Sequence, residues 1–237
     1  MKTLSVLLLA LSLLTFSGSD EIDEARILSH VVDPNESTLK MYWLDENKEA
    51  IRSLKALKNH TKNEGQNLLF AMNGGMYQED RRPLGLYIEE GETLYKMNKT
   101  QDAYGNFYMQ PNGVFYITEN QSAGISKSSD FDAVDHVHYA TQSGPMLLID
   151  GQIHPKFNKG SSNVHIRNAV GILPDGKVLF AMSKEKINFY DLASYFKQHG
   201  CQNALYLDGF VSRTYLPEKD WTQLGGNFGV MIAETGS

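Results

Sequence analysis

The chain has 237 residues, a formal net charge of −6 and one cysteine. That charge excludes a protein built for non-specific nucleic-acid binding, and the lone Cys201 excludes an internal disulfide, so the fold must rest on its core. No apolar run after the N-terminal segment is long enough for a helix to cross a bilayer, so no stable membrane-spanning helix is expected once that segment is removed.

The elements are taken in chain order. Lys2 precedes an apolar run from Leu4 to Leu14, and Ser17-Gly18-Ser19 follows. A basic start, a run too short to span and then small residues predict a secretory signal cleaved near Ser19, against the alternative of an uncleaved anchor. The expectation is therefore a signal peptide over 1–19 and one domain over 20–237, exported to the periplasm or secreted. "STLKMYWL" reads as a strand with Met41 and Trp43 on one face and Lys40 and Tyr42 on the other. "EAIRSLKALKNH" has the spacing of a helix, with Asn47 as N-cap and Gly65 beyond its end. "NLLFAMNGG" is a buried strand that breaks at two glycines. "LGLYIEEGETL" is a hairpin turning at Glu90-Gly91, and "NFYMQPNGVFYI" reads as two short strands around Pro111-Asn112-Gly113.

Further along, "HVHYATQSGPMLLIDGQI" gives a strand, a Gly-Pro break, a second strand and an Asp150-Gly151 turn. "RNAVGILPDGKVLFAM" is a hairpin around Pro174-Asp175-Gly176. "NFYDLASYFKQHG" is the best helix, with Asn188 as its cap, a core stripe of Phe189, Leu192, Ala193 and Phe196, and Gly200 as its stop. It leads into "NALYLDG", and "NFGVMIAE" closes the chain as a strand. Hairpins with a few interspersed helices predict an α+β fold, a single mixed domain with a strand-rich core and a few flanking helices.

Several stretches carry polar groups where apolar strands end. Asn73, Gly74 and Gly75 form a strand mouth that either closes a tight turn or lets backbone approach a ligand. Gln142 and Ser143 sit ahead of the Gly-Pro bend, where they need either a ligand or backbone partners. His165 and Arg167 are two apart in a strand-like run, and a buried arginine needs either a salt bridge, with Asp208 as one partner, or an anionic ligand. Asp208-Gly209 is open between turn chemistry and a catalytic carboxylate. His136 and His138 could share a strand face and hold a metal, without a clear third ligand; the alternative is a solvated strand edge. No P-loop, dinucleotide fingerprint or H-E-x-x-H motif is present, and no cofactor is expected, with a divalent metal left open.

In this order "FAMNGGMY", "PLGLYIEEGE", "PNGVFYI", "TQSGPMLLIDGQIHP", "IRNAVGILPDG" and "NALYLDG" resemble the phosphodiester glycosidase domain family, over about Lys40 to Ala233 and closest to its bacterial exported branch. The family's L-D-G-G-G-S-S/T signature is matched by Leu207, Asp208, Gly209 and Ser212, but not by Phe210, Val211 and Arg213. Its H-x-R-T-A-x-G stretch is matched by His165, Arg167, Ala169 and Gly171, with Asn168 in place of threonine. The resemblance implies hydrolysis of a sugar C1–O bond to a phosphodiester, as in a GlcNAc-1-phosphodiester, with a carbohydrate or glycosyl-phosphate partner. It implies catalytic roles for Asp208, Arg167 and His165. Substrate contacts would come from Asn73, Gly74, Gly75, Gln142, Ser143, Gly209 and Ser212, and a second carboxylate is left open among Glu79, Asp80 and Glu185. The departures at 210–213 leave a non-catalytic sugar binder as one alternative, and the two histidines leave a metal-dependent phosphodiesterase as another.

Overall fold

A computed structural model describes residues 22–208 and 211–236. The expected signal peptide, and the pair Gly209-Phe210, lie outside the described residues.

The first half of the chain contains β1 (Ile27–Val32), β2 (Thr38–Tyr42), α1 (Leu54–Asn63) and β3 (Asn67–Asn73). The hairpin β4 (Tyr87–Glu89) and β5 (Glu92–Tyr95) follows, then β6 (Gly113–Thr118), β7 (Ala123–Lys127) and β8 (Val137–Ser143). The second half contains β9 (Met146–Ile149), β10 (Gln152–Ile153), β11 (Asn168–Ile172), β12 (Val178–Ser183) and α2 (Phe189–Gln198). After α2 come β13 (Ala204–Asp208), β14 (Thr214–Leu216), β15 (Trp221–Thr222) and β16 (Met231–Gly236).

These strands build three antiparallel sheets. Sheet one has the order β1-β12-β11-β13-β9-β10, sheet two β15-β14-β3-β16-β2, and sheet three β5-β4-β8-β6-β7. Apolar residues from all three meet in one core, where Phe180 of sheet one lies 5.0 Å from Phe70 of sheet two and 5.9 Å from Phe115 of sheet three, ring centre to ring centre. The outer face of sheet one is covered by α2, and that of sheet two by α1. The result is strand-rich, with two α-helices among the described residues.

Local chemistry explains most boundaries. The side chain of Asn188 accepts from the Asp191 amide, a cap that stabilises α2 by about 1 kcal/mol. The stripe Phe189, Leu192, Ala193 and Phe196 is buried, and Gly200 follows the helix at φ 79°. Cys201 is buried behind it, and burial pushes its thiol up to about 12, so it packs as a small apolar group. The Glu90-Gly91 turn has both residues at positive φ, as a two-residue hairpin requires.

Two expectations are corrected. α1 starts at Leu54 with Ser53 as its cap, because Asn47 belongs to a turn in which its amide donates to Asp45 Oδ1, and Ile51 dips into the core before the helix begins. Asn106–Tyr108 is a 3₁₀ turn rather than a strand, with Phe107 buried, and β6 begins only at Gly113. β2 presents Met41 and Trp43 to the central core and Tyr42 to α1 on the other face, as its alternation predicts, so its end is covered on both sides.

Candidate active site

Three strands, one from each sheet, end close together. They are β3 at Asn73, β8 at Ser143 and β13 at Asp208. Asn73 Nδ2 donates to Asp208 Oδ2 at 3.3 Å. Asn168, the first residue of β11, ties the two strand ends together. Its Oδ1 accepts from the Asp208 amide at 2.9 Å, and its Nδ2 donates to Asn73 O at 2.8 Å and Asn73 Oδ1 at 3.1 Å. Ser143 Oγ donates to Leu207 O and Ser212 Oγ to Asp208 O, each at 2.7 Å. The amide of Arg213 donates to Asn73 Oδ1 at 2.9 Å. Asn73, Asn168, Ser143 and Asp208 are all buried. Such a network holds the end of β13 in one geometry, because each buried polar group needs its partner.

The strand register explains why Asp208 reaches Asn73. Ala169 pairs with Tyr206 but Asn168 pairs with Asp208, leaving Leu207 as an extra residue in β13. A bulge of this kind re-aims the side chains at a strand end. β13 ends at Asp208 in sheet one and the next strand, β14, belongs to sheet two, so the two strands are not a hairpin pair.

Asp208 lines a cleft of about 470 Å³. Two loop segments line the cleft with it. One carries Met76, Tyr77 and Arg81, and the other Tyr104, Phe107 and Tyr108. Among the described lining residues, Asp208 is the sole carboxylate and Arg81 the sole cation. Arg81 adopts φ 74°, its Nε donates to Asn227 Oδ1 at 2.9 Å, and its guanidinium lies 5.0 Å from the centre of the Tyr77 ring. Its carbonyl accepts from Trp43 Nε1 at 3.0 Å. Gly229 lets this loop approach, since a Cβ there would stand 2.6 Å from Tyr77 Cβ and 2.9 Å from Arg81 O. Burial and the charge of Asp208 raise the pKa of Tyr77 above the ordinary phenol value, with Arg81 opposing, so Tyr77 is a neutral donor in this cleft at physiological pH.

The other expected site residues lie elsewhere. Arg167 is 1% exposed and turned toward α2. Its Nε donates to Ile187 O at 2.9 Å, Nη1 to Tyr206 Oη at 3.1 Å, and Nη2 to Asn163 O and Oδ1 at 3.0 and 2.9 Å. The guanidinium lies 3.7 Å from the centre of the Phe189 ring. Burial lowers its pKa, and Tyr206 opposes this. Contrary to the salt-bridge expectation, its described partners are neutral. His165 is exposed and bridges to Ile187 through backbone alone. Gln142 is buried with both ends of its amide engaged, Oε1 by the Leu86 and Asn98 amides and Nε2 by Asn98 O and Ser128 Oγ. The amide of Gly74 donates to Val230 O, and a Cβ on Gly74 would meet Ile232 Cγ1 at 2.4 Å; one on Gly75 would meet Thr141 Oγ1 at 2.5 Å. These glycines let strands of sheets two and three pack closely.

None of the expected second carboxylates lines the cleft: Asp80 Oδ2 lies 3.1 Å from Arg82 Nε, Glu185 pairs with Arg26, and Glu79 is exposed. Among the described residues no group of three or more His, Cys, Asp or Glu side chains is placed to hold a metal. His136 stands at φ 54°, ahead of β8, with Nδ1 3.6 Å from Glu119 Oε2.

The profile of the phosphodiester glycosidase family matches residues 66–228, a span that takes in the Asn73 strand end, both cleft loops and Asp208. The chain belongs to that family. It is 39% identical over 191 residues to the uncharacterized protein YigE of Escherichia coli (strain K12), covering 80% of this chain and 74% of that protein. Its fold is similar to that of the zebrafish N-acetylglucosamine-1-phosphodiester α-N-acetylglucosaminidase catalytic domain, auto-inhibited by its pro-peptide. There the TM-score is 0.59 at 15% identity, over 88% of this chain and 83% of that one. A Burkholderia pseudomallei K96243 protein described as exported matches with a TM-score of 0.59 at 9% identity, over 88% and 73%. No helix among the described residues is long and apolar enough to cross a membrane.

Asp208, Asn73, Ser143 and Ser212 are thus gathered at one place, as the sequence motifs suggested. Arg81, Tyr77, Asn227 and the 104–108 segment were not found from the sequence. They lie in loops without periodicity, and the one local signal was the "NGGMYQEDRR" run after a strand mouth.

Proposed function

We propose that the protein is an exported hydrolase that cleaves the C1–O bond between a sugar and a phosphodiester, with a GlcNAc-1-phosphodiester-like substrate. The observation that carries this reading is that one carboxylate, Asp208, and one arginine, Arg81, line the same aromatic-rich cleft. Tyr104, fully exposed at the rim, and Tyr108 offer ring faces to a sugar, whose C–H faces pack against aromatics. The transition state for leaving from C1 is oxocarbenium-like and gains from a carboxylate beside the anomeric carbon.

The phosphate leaving group is a weak base. It departs with little protonation and gains instead from a cation and a neutral donor, here Arg81 and Tyr77. Water completes the reaction at C1, giving free sugar and a phosphate monoester. Asn73 holds the Asp208 carboxylate in place, and Asn168 holds Asn73. Arg167 and His165 take no part in the chemistry on this reading; Arg167 fixes the Asn163 loop and the α2 side of β13.

The test is Asp208→Asn, which keeps the shape of the side chain and one acceptor oxygen for Asn73 Nδ2 but removes the charge. Turnover of a GlcNAc-α-1-phosphodiester, followed by release of free GlcNAc, should fall by roughly 10³-fold, the scale of losing a key electrostatic stabiliser. Full turnover in that variant would refute the assignment. Release of GlcNAc-1-phosphate with the free alcohol, or oxygen from isotope-labelled water found in the phosphate monoester rather than in GlcNAc, would point to P–O cleavage instead.

A further inference from the structure

The 211–213 segment, where the sequence departs from the family signature, stands between two hollows. Val211 lines both the Asp208 cleft and a neighbouring hollow of about 330 Å³. Lys184, Arg213 and Trp221 line that second hollow. Lys184 and Trp221 also line a third, of about 350 Å³, where Lys219 joins them. Shared lining residues place the three hollows side by side, as a track of neighbouring hollows that leads away from the cleft.

The charge of this track opposes that of the protein. Three cations line its outer part against one acid, Glu24 in the third hollow, on a chain whose net charge is −6. None of the three forms an ion pair among the described residues, because the nearby acids are drawn elsewhere. Glu185 pairs with Arg26, Glu218 lies 3.3 Å from His30, and Glu24 lies 3.6 Å from His199. Lys184 and Arg213 are exposed, and Lys219 Nζ donates to Ser29 O at 2.6 Å. Uncompensated cations beside a cleft raise the local concentration of anions.

We propose that this track binds a second phosphate, carried on the aglycone of the substrate, so that the enzyme acts on chains with successive phosphodiesters rather than on an isolated one. The inference rests on the cleft assignment above for the position of the first phosphate. Arg213, beside the cleft, presents the planar fork that suits a phosphate, and Lys184 and Lys219 act as point charges further along. Trp221 supplies an apolar wall for the carbon unit between phosphates. On this account Val211, in place of a glycine, and Arg213, in place of a serine or threonine, put a bulky, charged step between cleft and track.

Two synthetic compounds test it. One is GlcNAc-α-1-phosphoglycerol, and the other is the same molecule extended by one phosphoglycerol unit. With the wild-type chain the extended compound should show a KM at least about ten-fold lower, and 0.5 M salt should abolish the difference. The double variant Arg213→Glu, Lys184→Glu should remove the gap without changing kcat on the short compound. Both side chains are exposed, and the contact of Arg213 with Asn73 runs through its backbone amide, which the substitution retains.

Turnover of both compounds with equal KM would overturn the track and leave the cleft assignment standing. If neither compound is turned over, the cleft assignment fails by itself, and titration calorimetry then reads the track directly. Tighter binding of the extended compound, lost in the double variant, supports the track; equal or undetectable binding of the two overturns it.

Discussion

Two arginines near the candidate site sit in opposite surroundings. Arg167 is enclosed beneath α2, with each guanidinium nitrogen engaged by a carbonyl, an amide oxygen or a phenol, and an aromatic ring against its face. Arg81 is half-buried at the rim of the cleft, held by one side-chain oxygen and otherwise turned to the space that Asp208 faces. The first has four of its five N–H donors engaged by the fold, and the second has one engaged by a described side-chain partner, Asn227. Residue type and strand spacing pointed to Arg167, and the reaction proposed for the cleft uses Arg81. A buried cation is not by itself an anion site when neutral acceptors already engage most of its fork.

The sharpest way to break this contrast is Arg167→Ala. Removing the guanidinium leaves buried acceptors and a void, and should lower stability by roughly 3–5 kcal/mol, read as a shift in the urea midpoint. The folded fraction should keep kcat within about two-fold of wild type. A soluble, fully stable but inactive Arg167→Ala protein would reverse the roles given to the two residues. Next comes Arg81→Ala, which should cut kcat/KM by about 10²-fold, the scale of losing one charged stabiliser of the leaving group, and leave the urea midpoint unchanged. The smallest effect is expected from Tyr206→Phe, which takes away one acceptor from Arg167 Nη1 and should cost about 1–3 kcal/mol of stability with no change in KM. A change in KM there would tie the Arg167 side of the sheet to the substrate.

The same contrast shows what could be read from the sequence. β3, the β11–β12 hairpin, the capped α2 and β13 carry periodic apolar residues, fixed turn types or a side-chain cap, and each is found where its sequence predicts it. Asp208 and Asn73 were legible because both end buried strands, where a polar residue needs a reason. The bulge at Leu207 that brings them together is a matter of register between strands, which no local pattern encodes. Gln142 stood out for the same reason as Asn73, yet its partners are backbone groups of the segments at 86 and 98, distant in sequence and invisible to spacing. Arg81 and Tyr77 lie in a loop ordered by Trp43 and Gly229, from both ends of the chain. The start of α1 was misplaced because Asn47 and Ser53 both have capping chemistry, and the burial of Ile51 decides between them.

β16 runs between β2 and β3 in sheet two, and its residues pair with β3 as far as Asn73. The strand that seats Asn73 is therefore completed by Met231–Gly236, a segment distant from it in sequence, so the cleft is a product of long-range pairing that the N-terminal portion cannot make by itself.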